Sequence, residues 1–182
     1  MVSLLALTLA HAAAPSVEKL VGDIDGDGIA DQFIANPWGM RSGDAAHVRI
    51  ESGRDRRVLW AADWIPGFGM DVVRLGDLDG DGRAEFAIGS PSESHFGREG
   101  AGAIYVFSLG STAVRSVLAG ERAHDSFGAS LVAIDLDDDG RVDLLGGRAG
   151  FGAQRTPLFE VLDGGRTVVP GRADISLAAL RQ

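Results

Sequence analysis

At 182 residues, with 45% hydrophobic and 24% charged side chains, the chain is long enough for one sizeable core and has an ordinary globular composition. It has no cysteine, which excludes disulfides, zinc–thiolate centres, thiol catalysis and a lipidated N-terminal cysteine. The formal net charge of −9 comes with no Lys/Arg-rich run, so nucleic acid is not an expected partner, and 26 glycines point to a turn-rich β protein.

Residues 1–14 read as a signal peptide. Val2 to Ala10 is an apolar run, and Ala10-His11-Ala12 fits a small-residue cleavage rule, although no Lys or Arg precedes the run. The run is too short for a bilayer, and no later segment approaches spanning length, so the mature chain is expected to lack a membrane span. Secreted, periplasmic or cell-surface placement follows as the expectation. Between Pro15 and Gly171 the chain reads as three units, about 15–65, 66–121 and 122–171, followed by a tail over 172–182.

The first unit predicts strands at Lys19–Gly22, Gln32–Ala35, His47–Ile50 and Arg57–Trp60. The second predicts them at Val72–Leu75, Glu85–Ile88, Ala103–Phe107 and Val114–Leu118. The third predicts Leu131–Ile134, Asp143–Gly146, Leu158–Leu162 and Thr167–Val169. Clusters of Gly, Asp, Ser and Pro separate the strands; only Ile175 to Leu180 hints at a helical period. Four antiparallel strands per unit, repeated, is the sequence form of a propeller blade, so the predicted fold is all-β.

Between the first two strands of every unit lies one acidic loop, beginning at Asp23, Asp77 and Asp135. Carboxylates stand at positions 1, 3, 5 and 9: Asp23, Asp25, Asp27 and Asp31; Asp77, Asp79, Asp81 and Glu85; Asp135, Asp137, Asp139 and Asp143. Gly28, Gly82 and Gly140 permit the sharp turn, and position 7 offers the backbone carbonyl of Ile29, Arg83 or Arg141. Such oxygen-rich loops suit Ca²⁺, which takes six to eight hard oxygen ligands, better than Mg²⁺. Four carboxylates packed together without a cation would repel one another. An EF-hand needs Glu at position 12 and flanking helices, but position 12 holds Ile34, Ile88 and Gly146, and the flanks are β-like. The ligand positions of the loops hold 12 of the 26 acidic residues, and the remaining 14 are outnumbered by the 17 Lys and Arg. The acidity therefore belongs to three candidate Ca²⁺ sites. The third carries Asp138 where the others have Gly26 and Gly80.

With these loops in their strand context, the chain resembles the FG-GAP (VCBS-like, integrin α-type) repeat family. The second unit carries Phe68-Gly69, the loop, Glu85 to Pro91 close to the family's "GAP" end, and Gly102 to Phe107. The third has Phe127-Gly128, but Gly146-Gly147-Arg148 departs from "GAP". The first lacks a leading Phe-Gly, and Ala35-Asn36-Pro37 matches weakly. The resemblance implies a β-propeller, typically of seven blades, with calcium held by the loop positions named above. Three units are too few for a closed ring, which needs about four to eight. An open partial propeller, a homo-oligomer of copies completing a ring, and a piece of a larger reading frame are the three resolutions. Three blades with self-association or with a cap formed by Arg172 to Gln182 is the favoured form.

No catalytic residue is expected. His11 falls in the leader, and His95 and His124 sit in polar loops without a nucleophile-elbow pattern. Trp60 is expected to end a strand and pack, whereas Trp38 and Trp64 are placed in loops, where they offer a stacking surface to a ligand. The reading is a non-enzymatic, calcium-stabilised interaction or adhesion module recognising a protein or glycan. The alternative is a hydrolase, or its accessory domain, acting on glycans or phosphate esters.

Overall fold

A computed structural model describes residues 16–38, 46–135, 140, 142–148, 160–163 and 166–167. The leader, the tail and the helical hint over 175–180 lie outside them. The first sheet orders β1 (Val17–Gly22), β2 (Asp31–Asn36), β3 (Ala46–Glu51) and β4 (Val58–Trp64) as an antiparallel meander. The second repeats the order with β5 (Val72–Gly76), β6 (Glu85–Ser90), β7 (Ala103–Ser108) and β8 (Ser116–Ala119). The third does so with β9 (Phe127–Ile134), β10 (Asp143–Arg148), β11 (Glu160–Asp163) and β12 (Arg166–Thr167). The fold is all-β: three blade-like sheets in an open arrangement, as partial propeller blades of the expected kind.

The core follows from strand period. Successive residues of a strand face opposite sides of its sheet. Phe86 and Ile88 of β6, with Tyr105 and Phe107 of β7, turn towards the first sheet and meet Phe33, Ala35, Val48, Ile50 and Trp60. Their neighbours Ala87, Ile104 and Val106 turn the other way and meet Leu131 and Leu144 of the third sheet. The second sheet is thus covered on both faces, which is why β6 is buried from end to end. The first sheet alternates instead. Along β2 every second residue is buried, and the far face carries Arg49 paired with Glu51, and His47 with Asp63.

The Phe-Gly pairs have a structural cause. Phe68 and Phe127 are essentially inaccessible and fill the cores between sheets. Gly69 and Gly128 take φ of 96° and 87°, a left-handed backbone that L side chains resist. A Cβ on Gly128 would stand 2.6 Å from the Ala103 carbonyl oxygen, so the chain can cross the neighbouring strand this closely only without one.

One expectation fails. Trp64 is not in a loop: β4 runs through it, pairing Trp64 with Ala46, and its ring packs against Phe68 and Tyr105 at centroid distances of 5.2 and 5.5 Å. The aromatic cluster beneath β4 draws the strand on past Trp60. The ring is therefore core-bound rather than offered to a ligand. Trp60 packs as expected, edge-on to Phe86, and its indole N–H donates to the Ser111 carbonyl. Trp38 stands in the turn after β2, 45% exposed.

Candidate metal centre

Each acidic loop joins the first strand of a sheet to the second, and its ninth residue opens that second strand. Asp31, Glu85 and Asp143 stand at the heads of β2, β6 and β10, paired across the sheet with Gly22, Gly76 and Ile134. All three are buried, Asp31 and Glu85 completely. Strand pairing thereby fixes one carboxylate under the loop.

The remaining carboxylates are positioned by the loop's own amides. In the first loop Asp23 Oδ1 accepts from Gly26 and Asp27 N–H, and Oδ2 accepts from Gly28 N–H at 2.8 Å. The second loop repeats this: Asp77 Oδ1 accepts from Gly80 and Asp81 N–H, and Oδ2 from Gly82 N–H at 2.9 Å. The third shows the same closing bond, from Gly140 N–H to Asp135 Oδ2 at 2.8 Å. Position 3 accepts from the position-5 amide, and position 5 from the position-7 amide, in both of the first two loops. Asp31 Oδ2 takes the Ile24 amide, and Glu85 Oε2 the Leu78 amide. The coil is held from inside by carboxylate oxygens, with its glycines at φ between 78° and 86°.

The coil gathers acid groups. Asp23, Asp25 and Asp27 bring one carboxylate oxygen each to within 4.8 Å of one another, and so do Asp77, Asp79 and Glu85. The two groups differ in membership: position 5 joins the first, position 9 the second. Asp31 instead sends Oδ1 to the Gly53 amide of the β3–β4 turn. Asp81 bonds the Arg83 amide. Ile29 and Arg83 occupy the turn as expected. Asp137, Asp139 and Arg141 lie outside the described residues, leaving Asp135 and Asp143 as the described carboxylates of the third loop. Sets of three or more clustered carboxylates are hard-oxygen donors of the type that holds Ca²⁺.

The electrostatics are uneven. Burial, and then the neighbouring Asp31 charge, raise the Asp25 pKa, as expected of a carboxylate among carboxylates. The Asp27 carboxyl is held below its usual range by its hydrogen bond to Arg54, and that of Asp79 by its bond to Arg115. These arginines were not singled out in the sequence. Arg54 Nε donates to Asp27 Oδ2 at 2.7 Å and its terminal nitrogen to the Asp27 carbonyl at 2.6 Å. Arg115 donates to Asp79 Oδ2 at 2.6 Å. The excess of arginine over lysine was the available signal, but the partners lie about thirty residues apart along the chain.

His95 and His124 make their contacts away from the coils. His95 follows β6 at the strand end away from the second loop, where its Nδ1 lies 3.1 Å from Glu93 Oε1. His124 is in an exposed turn, its amide bonded to the Glu99 carbonyl.

Comparison with known proteins agrees with this architecture. Residues 71–107 match the FG-GAP repeat family. The Drosophila melanogaster integrin alpha-PS2 is 30% identical over 100 residues, covering 47% of this chain and 7% of that protein. The Caenorhabditis elegans integrin alpha ina-1 is 30% identical over 160 residues, covering 69% of this chain and 14% of that protein. The Gallus gallus integrin alpha-V is 30% identical over 157 residues, covering 75% and 15%. The chain thus spans at most about one-seventh of these relatives' lengths. Matching loops, strand order and Phe-Gly crossings, together with these likenesses, place the chain in the FG-GAP repeat family of the integrin α type.

Proposed function

We propose that the chain is a calcium-binding, non-enzymatic interaction or adhesion module that works outside the cytoplasm, secreted, periplasmic or at the cell surface. The observation that carries the reading is the loop built twice to one plan. Each gathers three carboxylates, Asp23, Asp25 and Asp27 in the first and Asp77, Asp79 and the strand-head Glu85 in the second, and in each the buried strand-head acid accepts a loop amide. Ca²⁺ would be held by positions 1, 3, 5 and 9 with the position-7 carbonyl, and it would relieve the repulsion that the gathered charges create. The third loop, from Asp135 to Asp143, would form a third site of the same kind. Calcium thereby stiffens the hairpin at the head of each sheet, and the loops at the sheet ends present a face to a protein or glycan partner. Kinship with integrin α chains supports an adhesive role. The segments 1–14 as leader and 15–171 as three repeats complete the proposal. Among the described residues, no helix is long and apolar enough to cross a membrane.

Thermal unfolding tests the calcium reading. At a hundredfold excess over Kd each saturated site adds about 2.7 kcal/mol, or ~5–10 °C in Tm for a chain of this size. Chelator should reverse the gain, and Asp79→Ala should remove the share of one loop. No shift at millimolar calcium rejects the reading.

A further inference from the structure

The carboxylate at position 3 of the first and second coils meets a cation that the protein itself supplies, and from the same place in the repeat. Arg57 immediately precedes β4, and its terminal nitrogen lies 3.4 Å from Asp25 Oδ2. Arg115 immediately precedes β8, and its terminal nitrogen lies 2.6 Å from Asp79 Oδ2, 3.5 Å from Glu85 Oε1 and 3.3 Å from Ser108 Oγ. In both loops the other position-3 oxygen is engaged by the position-5 amide, so the arginine takes the oxygen left over. Arg166 heads β12, the corresponding strand of the third sheet. In the second loop the guanidinium touches two of the three gathered carboxylates. Arginine suits this post because its flat fork serves several oxygens at once and stays charged at every working pH.

We propose that the arginine entering the fourth strand is a resident counter-cation that holds the coil together without metal and sets how tightly the coil takes it. The proposal rests on the calcium reading above. A fixed positive charge against Asp79 and Glu85 lowers the repulsion that would open the empty coil. The same charge repels an arriving Ca²⁺ and withholds oxygen lone pairs from it. Removing it should act in opposite directions on the two states: a less stable empty protein and a tighter metal site. A purely structural brace would lower both.

The experiment compares the full chain with Arg115→Gln. Calcium is titrated while the amide resonances of Gly80 and Gly82 report the second loop alone. Tm is recorded in chelator. The pair is about one-third exposed on each side, so the effects are modest. Arg115→Gln should tighten calcium at the second loop about two- to fivefold and lower the chelated Tm by ~1–4 °C. Arg57→Gln should do the same at Gly26 and Gly28, with a smaller change because its contact is longer, and it carries the test if Arg115→Gln does not fold. Arg115→Lys, which keeps the charge, should stay near the parent affinity. Unchanged or weaker calcium affinity in both glutamine variants, while the parent binds, overturns the arginine's role alone. A parent that binds no calcium overturns the calcium reading instead, and this proposal with it.

Discussion

Tyr105 is the only tyrosine of the chain, and its surroundings make it a reporter of the interior. Its hydroxyl donates to Glu93 Oε1 at 2.5 Å, and burial, reinforced by that carboxylate, pushes the phenol pKa above the ordinary value of 10.0. A group whose folded pKa is raised stabilises the fold fully below its unfolded pKa, and the contribution is lost as pH rises past it. The native phenol should therefore resist ionisation above pH ~10 and titrate together with unfolding, read as near-ultraviolet phenolate absorbance against circular dichroism. A free, reversible titration at the ordinary value would contradict the buried bond. Two acidic groups at the coils respond oppositely. Asp27 and Asp79 carry lowered pKa values, so what their ion pairs lend is present above the ordinary carboxylate range and disappears as pH falls through the lowered values. Arg54 adds a second asymmetry, since its side chain holds Asp27 Oδ2, whereas among the described residues Asp81 accepts from the Arg83 backbone amide and from no arginine side chain. The first loop should accordingly bind calcium more weakly than the second, which Gly26 and Gly80 amide shifts in one titration would rank. At this scale the carboxylates were legible because a coil's ligands are consecutive in sequence. The arginines were not, because Arg115 reaches Asp79 across 36 residues and only the folded sheet closes that distance.

At the scale of the element, the strand–loop–strand hairpin was readable because alternation and turn residues are local, and all twelve expected strands have counterparts. Their ends were less readable. β4 extends to Trp64 because the rings of Phe68 and Tyr105 reward the extension, and β9 starts at Phe127 because that residue pairs with Arg148 across a bulge. The Phe-Gly crossing is where one sheet is fastened to the next, so its two residues should fail in different ways. Phe68→Ala opens a cavity between the first two sheets and should cost ~3–5 kcal/mol in urea unfolding. Gly128→Ala removes no contact, yet the left-handed backbone alone costs about 1–3 kcal/mol. The close Ala103 carbonyl then forces a further shift, so Gly128→Ala should exceed what the same change costs at the open Gly80. Equal losses at Gly80 and Gly128 would mean that backbone conformation, not the crossing, is what glycine supplies.

The whole molecule is held along its first strands by one acid. Asp71, in the connection from the first sheet to the second, accepts from Lys19 Nζ of β1 at 2.7 Å through Oδ1, which also takes the Val72 amide of β5 at 2.8 Å. Its Oδ2 accepts from the Leu131 amide of β9 at 2.7 Å. One carboxylate thus joins all three sheets, and Lys19, the chain's single lysine, is the charge that meets it. The sheets need such a tie, because an open array has no closing contact and its first sheet turns a face that carries the Arg49–Glu51 ion pair and the exposed Leu20 away from the core. None of this was visible in the sequence, where Asp71 belongs to no motif and Lys19 is a lone charge on a strand. Asp71→Ala should cost ~1–3 kcal/mol by leaving the Leu131 amide without its acceptor. Lys19→Met should cost under about 1 kcal/mol, since that ion pair is half exposed. The double variant should fall short of the sum, because both changes break the same bond. Hydrogen exchange separates a tie from a local bond. In Asp71→Ala the β9 amides should exchange faster than those of β6 and β7, whose cover on the first-sheet side is intact. Uniform acceleration across all three sheets would mean that they open as one unit whatever Asp71 does.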